Sequence, residues 1–282
     1  MILIADSGST KTDWLLMTEN GEIQREWNSQ GFNPFFQSPE TIRSLFKNEV
    51  FPQVEEAPGS VFFYGAGCAS PEASAPIVRC LQERYPDAHI EVDSDLLGAA
   101  RSLCQNEAGI ACILGTGSNN CLYDGTKIVG NIGSLGFWMG DEGSGGHLGK
   151  QLVIHYLHRE LPEDLMQQFA EKYPDVERFT VLDRAYKQPF PNRYFARFTH
   201  FINEHRNHPY LQELVRQSFR SFLEKYVIKH PGSEEYPVSF VGSIAWHFRD
   251  ILADVLQEKG LRPGIILQRP INGLVKFHRI SG

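Results

Sequence analysis

Asp6-Ser7-Gly8-Ser9-Thr10-Lys11-Thr12-Asp13 ends the short apolar run that opens the chain, and Gly115-Thr116-Gly117-Ser118-Asn119 ends a second such run over residues 109–114. One plan, an apolar strand closed by a small, hydroxyl-rich turn, therefore occurs twice. Beyond the first turn, residues 13–18 have the composition of a second strand. Asn20-Gly21, a dipeptide that tolerates positive φ at both central positions of a turn, sends residues 22–28 back antiparallel. Helical patterning at 39–47, a strand at 60–64, a helix at 71–84, a strand at 89–92 and a helix at 94–105 complete the unit. A hairpin followed by alternating strands and helices favours a largely parallel α/β sheet.

The plan restarts with the strand at 109–114, a strand at 119–123, the turn Asp124-Gly125 and a strand at 127–132. Mainly helical segments follow at 142–159, 162–173, 177–187, 191–203 and 209–230. A strand at 238–241, a helix at 244–259, a strand at 264–267 and a closing helix near Asn272 end the chain. The fold class is α/β, with duplicated ββαβαβα-type units and a helical insertion in the second.

Two glycine-containing turns at equivalent places suit a phosphate gripped from both sides. Glycine lets the backbone approach, N–H groups and hydroxyls donate to phosphate oxygens, and a nearby carboxylate, here Asp6, can hold hydrated Mg²⁺. Either turn alone is equally well read as a tight turn. Val241-Gly242-Ser243, between a strand and a helix, offers a third backbone segment and a helix N-terminus to a nucleotide. Other signatures fail. Gly149-Lys150 lacks the glycine and the Ser/Thr of a P-loop, no Gly-x-Gly-x-x-Gly follows a strand, and the common zinc-protease and serine-hydrolase motifs are absent.

Composition narrows the classes further. The chain of 282 residues is 41% hydrophobic with a formal charge of -7, and no lysine/arginine block stands out, which argues against nucleic acid or an anionic membrane as partner and for a small polar substrate. No run of about 18 apolar residues spans a bilayer and Met1-Ile2-Leu3-Ile4 meets Asp6 at once, so a cytoplasmic location is expected. Cys68, Cys80, Cys104, Cys112 and Cys121 form no C-x-x-C pair and read as reduced, mostly buried thiols.

Taken in order, Asp6-Ser7-Gly8-Ser9-Thr10-Lys11-Thr12-Asp13, Leu114-Gly115-Thr116-Gly117-Ser118-Asn119, Gly140-Asp141-Glu142-Gly143-Ser144 and Phe240-Val241-Gly242-Ser243 resemble the first phosphate, second phosphate, sugar-site and adenosine motifs of N-acetylglucosamine kinases. Those enzymes belong to the BadF/BadG/BcrA/BcrD-type ATPase family of the actin-like (ribonuclease H-like) superfamily. The resemblance runs over nearly the whole chain. It implies a two-lobed actin-like ATPase fold, with one lobe over 1–108 plus 270–282 and the other over 109–269. It also implies ATP and Mg²⁺ as cofactors, and γ-phosphoryl transfer to an N-acetylated amino sugar as the two lobes close. N-acetylmuramic acid or glucosamine are the rival acceptors.

Carried over residue by residue, the resemblance makes Ser7, Gly8, Ser9, Thr10, Lys11, Thr12, Thr116, Gly117, Ser118, Gly242 and Ser243 the nucleotide and phosphate contacts, and Asp6 the metal carboxylate. It makes Asp95, in Asp93-Ser94-Asp95, the catalytic base that accepts a sugar hydroxyl proton. The structural alternative for Asp95 is a helix N-terminal carboxylate, and Asp93 is its nearest rival. Asn33, Asn119 and Asp141, with Asp95, would hydrogen-bond the sugar, and Trp138 would line its ring or acetamido side. The tryptophan does not follow glycine directly, as it usually does in amino-sugar kinases, because the sequence reads Gly136-Phe137-Trp138-Met139. The acceptor pocket is therefore expected to differ in shape.

Two readings compete with the kinase. A partner-activating ATPase of the same family would need clustered iron–sulfur cysteines, which none of the five supplies. A sugar sensor would carry a DNA-binding domain ahead of the first phosphate strand, for which the chain leaves no room. His200, His205 and His208 read as surface or helix-end histidines. The apolar stripes Phe195, Phe198, Phe201, Ile202 and Leu211, Leu214, Val215, Phe219, Phe222, Leu223 have helical spacing, suited to a core or to a homodimer face.

Overall fold

A computed structural model describes residues 1–8 and 10–280, and the side chain of Ile280 lies outside that description, as does Ser9 of the first turn. By contact density the chain divides into two units, 1–111 with 123–129 and 269–282, and 112–122 with 130–268.

In the first unit β1 (Ile2–Ser7), β2 (Lys11–Met17) and β3 (Ile23–Gln30) form an antiparallel meander. Its loop differs from the expected two-residue turn. Gly21 alone takes positive φ, at 83°, its N–H donates to the Thr18 carbonyl, and the β2–β3 register shifts beside Met17. A glycine in the left-handed region at the end of a four-residue turn lets the hairpin close with a bulge. The chain then forms α1 (Pro39–Leu45), which runs into a wide helical turn over Phe46–Val50 and a tight one over Phe51–Gln53, so helical backbone extends past the expected end. β4 (Ser60–Gly65), α2 (Pro71–Arg84), β5 (His89–Ser94) and α3 (Asp95–Cys104) follow, β4 adding parallel beside β1 and β5 parallel beside β4 to give the order β3-β2-β1-β4-β5. Ser38, Ser70 and Ser94 cap the three helices, each hydroxyl accepting an N–H three residues on.

Strand alternation sorts this sheet's two faces. Leu3, Ala5, Trp14, Leu16, Val61 and Phe63 point to a core shared with Phe32, Phe46, Ile77 and Leu81. Trp14 stacks on Trp27 and meets Phe32 edge-on, and each fully buried aromatic contributes about 1.5–3 kcal/mol. The opposite face carries Asp6 and Tyr64 and is covered by α3 and by the chain's final helix.

The second sheet contains β6 (Ala108–Leu114), β7 (Ser118–Asp124), β8 (Ile128–Gly130), β9 (Pro237–Val241) and β10 (Arg262–Leu267) in the order β10-β9-β6-β7-β8. That is the first sheet's order with each strand replaced by its counterpart, the signature of the duplicated actin-like fold. Between β8 and β9 lie α4 (Gly136–Met139), α5 (Gly145–Leu157), α6 (Glu163–Lys172), α7 (Arg178–Tyr186), α8 (Pro191–Ala196), α9 (Thr199–Glu204) and α10 (Pro209–Lys225). α11 (Ser243–His247) and α12 (Arg249–Glu258) separate β9 from β10. The single helices expected over 142–159, 191–203 and 244–259 are thus shortened or broken. Both stripes set aside in the sequence are interior, with Phe195, Phe198, Phe201, Leu211, Phe219 and Phe222 all buried within the chain, so they form a core and no dimer face.

α13 (Pro270–Ile280) packs on α3 and β1 of the first unit. The approach is close. A Cβ at Gly273 would lie 2.2 Å from Ser102 Oγ, and that hydroxyl donates to the Pro270 carbonyl at 2.8 Å. Beneath the two helices Arg101 donates to Tyr64 Oη at 2.6 Å and pairs with Glu91, while His278 Nε2 lies 3.0 Å from the same phenol oxygen. No helix among the described residues is long and apolar enough to cross a membrane. Cys68, Cys80, Cys112 and Cys121 are buried, and Cys104 is half-buried.

Candidate active site

The first turn is held from inside. Ser7 and Thr12 are fully buried, their hydroxyls 2.7 Å apart; Ser7 Oγ accepts from Phe32 N–H, and Thr12 donates to the Gln30 carbonyl. This corrects the expectation that both hydroxyls face a phosphate: they tie the turn to the end of β3. The Gly8 N–H donates to the Lys11 carbonyl at 3.0 Å, and Thr10 and Lys11 are the exposed side chains.

Register places a row of carboxylates behind this turn. Asp6 pairs with Asp13 across β1–β2 and with Tyr64 across β1–β4, and Tyr64 pairs with Asp93. Asp13 is buried and accepts from Lys11 Nζ at 3.0 Å, from Arg269 Nε at 3.0 Å and from Asn28 Nδ2. Burial, with the charges of Asp13 and Asp95, pushes Asp6 up to about 8, Lys11 and Arg269 pulling the other way.

Asp95 is the first residue of α3. The Ser94 cap orients that helix start, and burial pushes the Asp95 carboxyl up to about 6 against the N–H groups of Leu96 and of Asp95 itself. Asp95 is thus a helix N-terminal carboxylate, and its charge helps raise the Asp6 pKa. Its rival Asp93 accepts from the Ser94 N–H and feels Glu91 and Arg101 instead. Asn33 closes a turn, its Oδ1 accepting from Phe35 N–H, and lies so close to Gly67 that a Cβ there would sit 2.3 Å from that oxygen. Gly67 has φ 81°, a conformation and an approach that only glycine permits.

In the second unit the turn after β6 is tied to the start of α5. Gly145 N–H donates to the Gly115 carbonyl at 2.8 Å and Gly146 N–H to the Thr116 carbonyl at 3.0 Å. Ser118 Oγ is buried with no hydrogen-bond partner among the described residues, a hydroxyl left open for a ligand or water. Asp141 lies against this turn: a Cβ on Gly117 would be 3.2 Å from its Oδ2, and its Oδ1 accepts from Ser134 Oγ at 2.7 Å. Asp141 takes φ 60° and is buried, and burial raises its pKa while Ser134 and the Ser118 N–H lower it. Glu142 is buried and spent on Lys225 and on Tyr226 Oη.

Asn119 is half-buried, its Oδ1 accepting from Asn131 Nδ2 at 3.1 Å. Trp138 is half-exposed on α4, stacked 5.2 Å from the Tyr186 ring. Gly242, at φ 122°, lies so close to the turn after β6 that a Cβ would be 2.4 Å from the Leu114 carbonyl oxygen. Ser243 opens a helix of five residues, too short for a strong dipole. Asp13, Arg269 and Ser134 are among the polar residues of these sites to which the sequence assigned no role.

The chain has a full-length counterpart. A candidate N-acetylglucosamine kinase of Porphyromonas gingivalis, known from its crystal structure, is 40% identical, covers 100% of this chain and 99% of its own, and superposes with a TM-score of 0.95. The chain belongs to the BadF/BadG-type sugar kinases of the actin-like ATPase superfamily. A glucosamine kinase of Vibrio cholerae is 25% identical to this sugar kinase over 92% of the chain and 90% of its own length. A candidate N-acetylglucosamine kinase of Chromobacterium violaceum, 20% identical with a TM-score of 0.71 over 98% of both chains, shares the fold. No family model matches the sequence. The sugar kinase is accordingly a phosphotransferase that acts with ATP.

Proposed function

We propose that the acceptor is the 6-hydroxyl of N-acetylglucosamine and that Asp95 is the general base. The observation that carries this is Asp95 itself, a half-buried carboxylate fixed at the start of α3, raised to about 6 and coupled to Asp6, in a chain 40% identical to a candidate N-acetylglucosamine kinase. A carboxylate near 6 is ionised at neutral pH, yet basic enough to accept a hydroxyl proton as the phosphoryl group transfers.

On this reading Gly8, Thr10 and Lys11 of the first turn and Thr116, Gly117 and Ser118 of the second bind the polyphosphate, with Gly242 and Ser243 along the nucleoside. Asn33, Asn119 and Asp141 orient the sugar, with Trp138 at its rim. Ser134 fixes the Asp141 carboxylate, and the side chains of Ser7 and Thr12 keep the first turn in shape. Mg²⁺ fits the carboxylate row. Lys11 and Arg269 pull the Asp6 pKa down while Asp13 and Asp95 raise it, and a divalent ion at Asp6 would relieve that repulsion. No group of three His, Cys, Asp or Glu among the described residues could hold a metal unaided, so Asp6, phosphate oxygens and water would share the ion. When bound it neutralises charge developing on the phosphoryl oxygens.

The Vibrio cholerae relative favours glucosamine as a second acceptor. The test is coupled ADP release from Mg-ATP with N-acetylglucosamine, N-acetylmuramic acid, N-acetylmannosamine, glucosamine, glucose or no sugar. The highest kcat/KM is expected for N-acetylglucosamine. A preference for glucosamine would move the assignment to that acceptor, and release indifferent to sugar would overturn it.

A further inference from the structure

We propose that Arg269 is a further phosphate-binding residue of this kinase, its guanidinium anchored through Nε on Asp13 and presenting both terminal amino groups to the polyphosphate of Mg-ATP. The inference rests on the kinase reading and adds a contact remote in sequence from every phosphate motif.

Arg269 lies just before α13, and its Nε donates to Asp13 Oδ2 at 3.0 Å. The other oxygen of that carboxylate takes Lys11 Nζ at 3.0 Å and Asn28 Nδ2, so Asp13, with 4% of its side chain exposed, already has more partners than its charge requires. The arginine keeps 35% of its side chain exposed, and its two terminal nitrogens form no hydrogen bond with any described residue. A guanidinium held only at Nε retains a planar pair of donors, a geometry matched to two phosphate oxygens.

Placement agrees with this role. Asp13 faces Asp6 across the first two strands, directly behind the turn that ends β1, so its anchor brings Lys11 and Arg269 to the same carboxylate row. An anion cannot settle beside a carboxylate row without cations to offset the repulsion. Lys11 supplies one point charge and Arg269 the directional fork.

The test measures affinity by titration calorimetry for Mg-ATP, magnesium tripolyphosphate and N-acetylglucosamine, with melting temperature, in wild type, R269M and R269K. R269M is expected to bind Mg-ATP and tripolyphosphate ~10-fold or more weakly, the loss of a charge-assisted contact, with sugar affinity unchanged. R269K keeps an ammonium for Asp13 but has no second group to extend, so it should melt near wild type and still bind Mg-ATP several-fold more weakly. It decides the matter if R269M fails to fold. Wild-type Mg-ATP affinity in R269K, or in a folded R269M, would leave Arg269 a structural partner of Asp13 and overturn the proposal alone. Absence of Mg-ATP binding by the wild-type protein would overturn the kinase reading with it.

Discussion

Gly98→Ala sets two physical effects against each other inside α3. In an isolated helix the exchange stabilises by about 1 kcal/mol, because alanine loses less backbone entropy. Here the new methyl would lie 2.7 Å from both Cβ and Cγ of Tyr64, where ordinary contact begins at 3.4 Å, so helix and strand must separate by about 0.7 Å. Tyr64 cannot swing aside, since the opposed atoms adjoin its backbone on β4 and its hydroxyl is held by Arg101 and His278. Overpacking of this kind costs about 1–3 kcal/mol, so a net loss of about 1 kcal/mol is expected. The same displacement moves Asp95, one turn earlier on α3. Because misplacement by about 1 Å can lower turnover 10²-fold, kcat should fall about 10-fold or more with little change in nucleotide affinity. Urea unfolding and steady-state kinetics on one preparation test both parts. A variant more stable than wild type with unaltered kcat would refute the claim that α3 is seated by that contact.

Asp95→Asn should lower kcat by about 10²–10⁴ while leaving nucleotide and sugar affinities near wild type, and wild-type kcat should rise with pH through about 6 as the carboxyl deprotonates; a flat profile across that region would exclude Asp95 as base. Burial, with Arg101 nearby, depresses His278 to about 3 from an ordinary 6.5, so between those values the unfolded chain takes a proton that the fold refuses. Stability supplied by neutral His278 is complete above about 6.5 and lost as pH falls, at up to about 1.4 kcal/mol per pH unit, and H278Q, which does not titrate, should show the shallower decline in urea unfolding between pH 6.5 and 4.5. Ser134→Ala removes a hydrogen bond that lowers the Asp141 pKa, so that pKa should rise further and the sugar KM increase, while Mg-ATP affinity stays unchanged in calorimetry.

Elements bounded by local chemistry were legible in the sequence. Ser70-Pro71 is a cap followed by proline, and α2 occupies the expected residues 71–84. Ser94-Asp95 marks the start of α3 with equal clarity. Breaks governed by packing were not visible: the stretch 191–203 divides where Arg197 and Phe198 separate α8 from α9, although its apolar spacing is continuous. At the sites, the carboxylates and glycines stood out because few residue types can do their work. The commitments of the hydroxyls did not, since Ser7 and Thr12 differ from Thr10 only in pointing inward, which depends on strand register. The pairing of Asp13 with Arg269 joins residues 256 positions apart, and no local signal connects them.

The place of α13 has a consequence for synthesis. The strands and helices that hold Asp6 and Asp95 are made well before residues 270–280, which cover the surface of α3 that carries Ser102. While the intervening segment is translated, that surface faces water or a chaperone. The early half can collapse during elongation, but its seal comes only once α13 has emerged, which ties the shaping of α3 to a segment that begins 168 residues after Ser102.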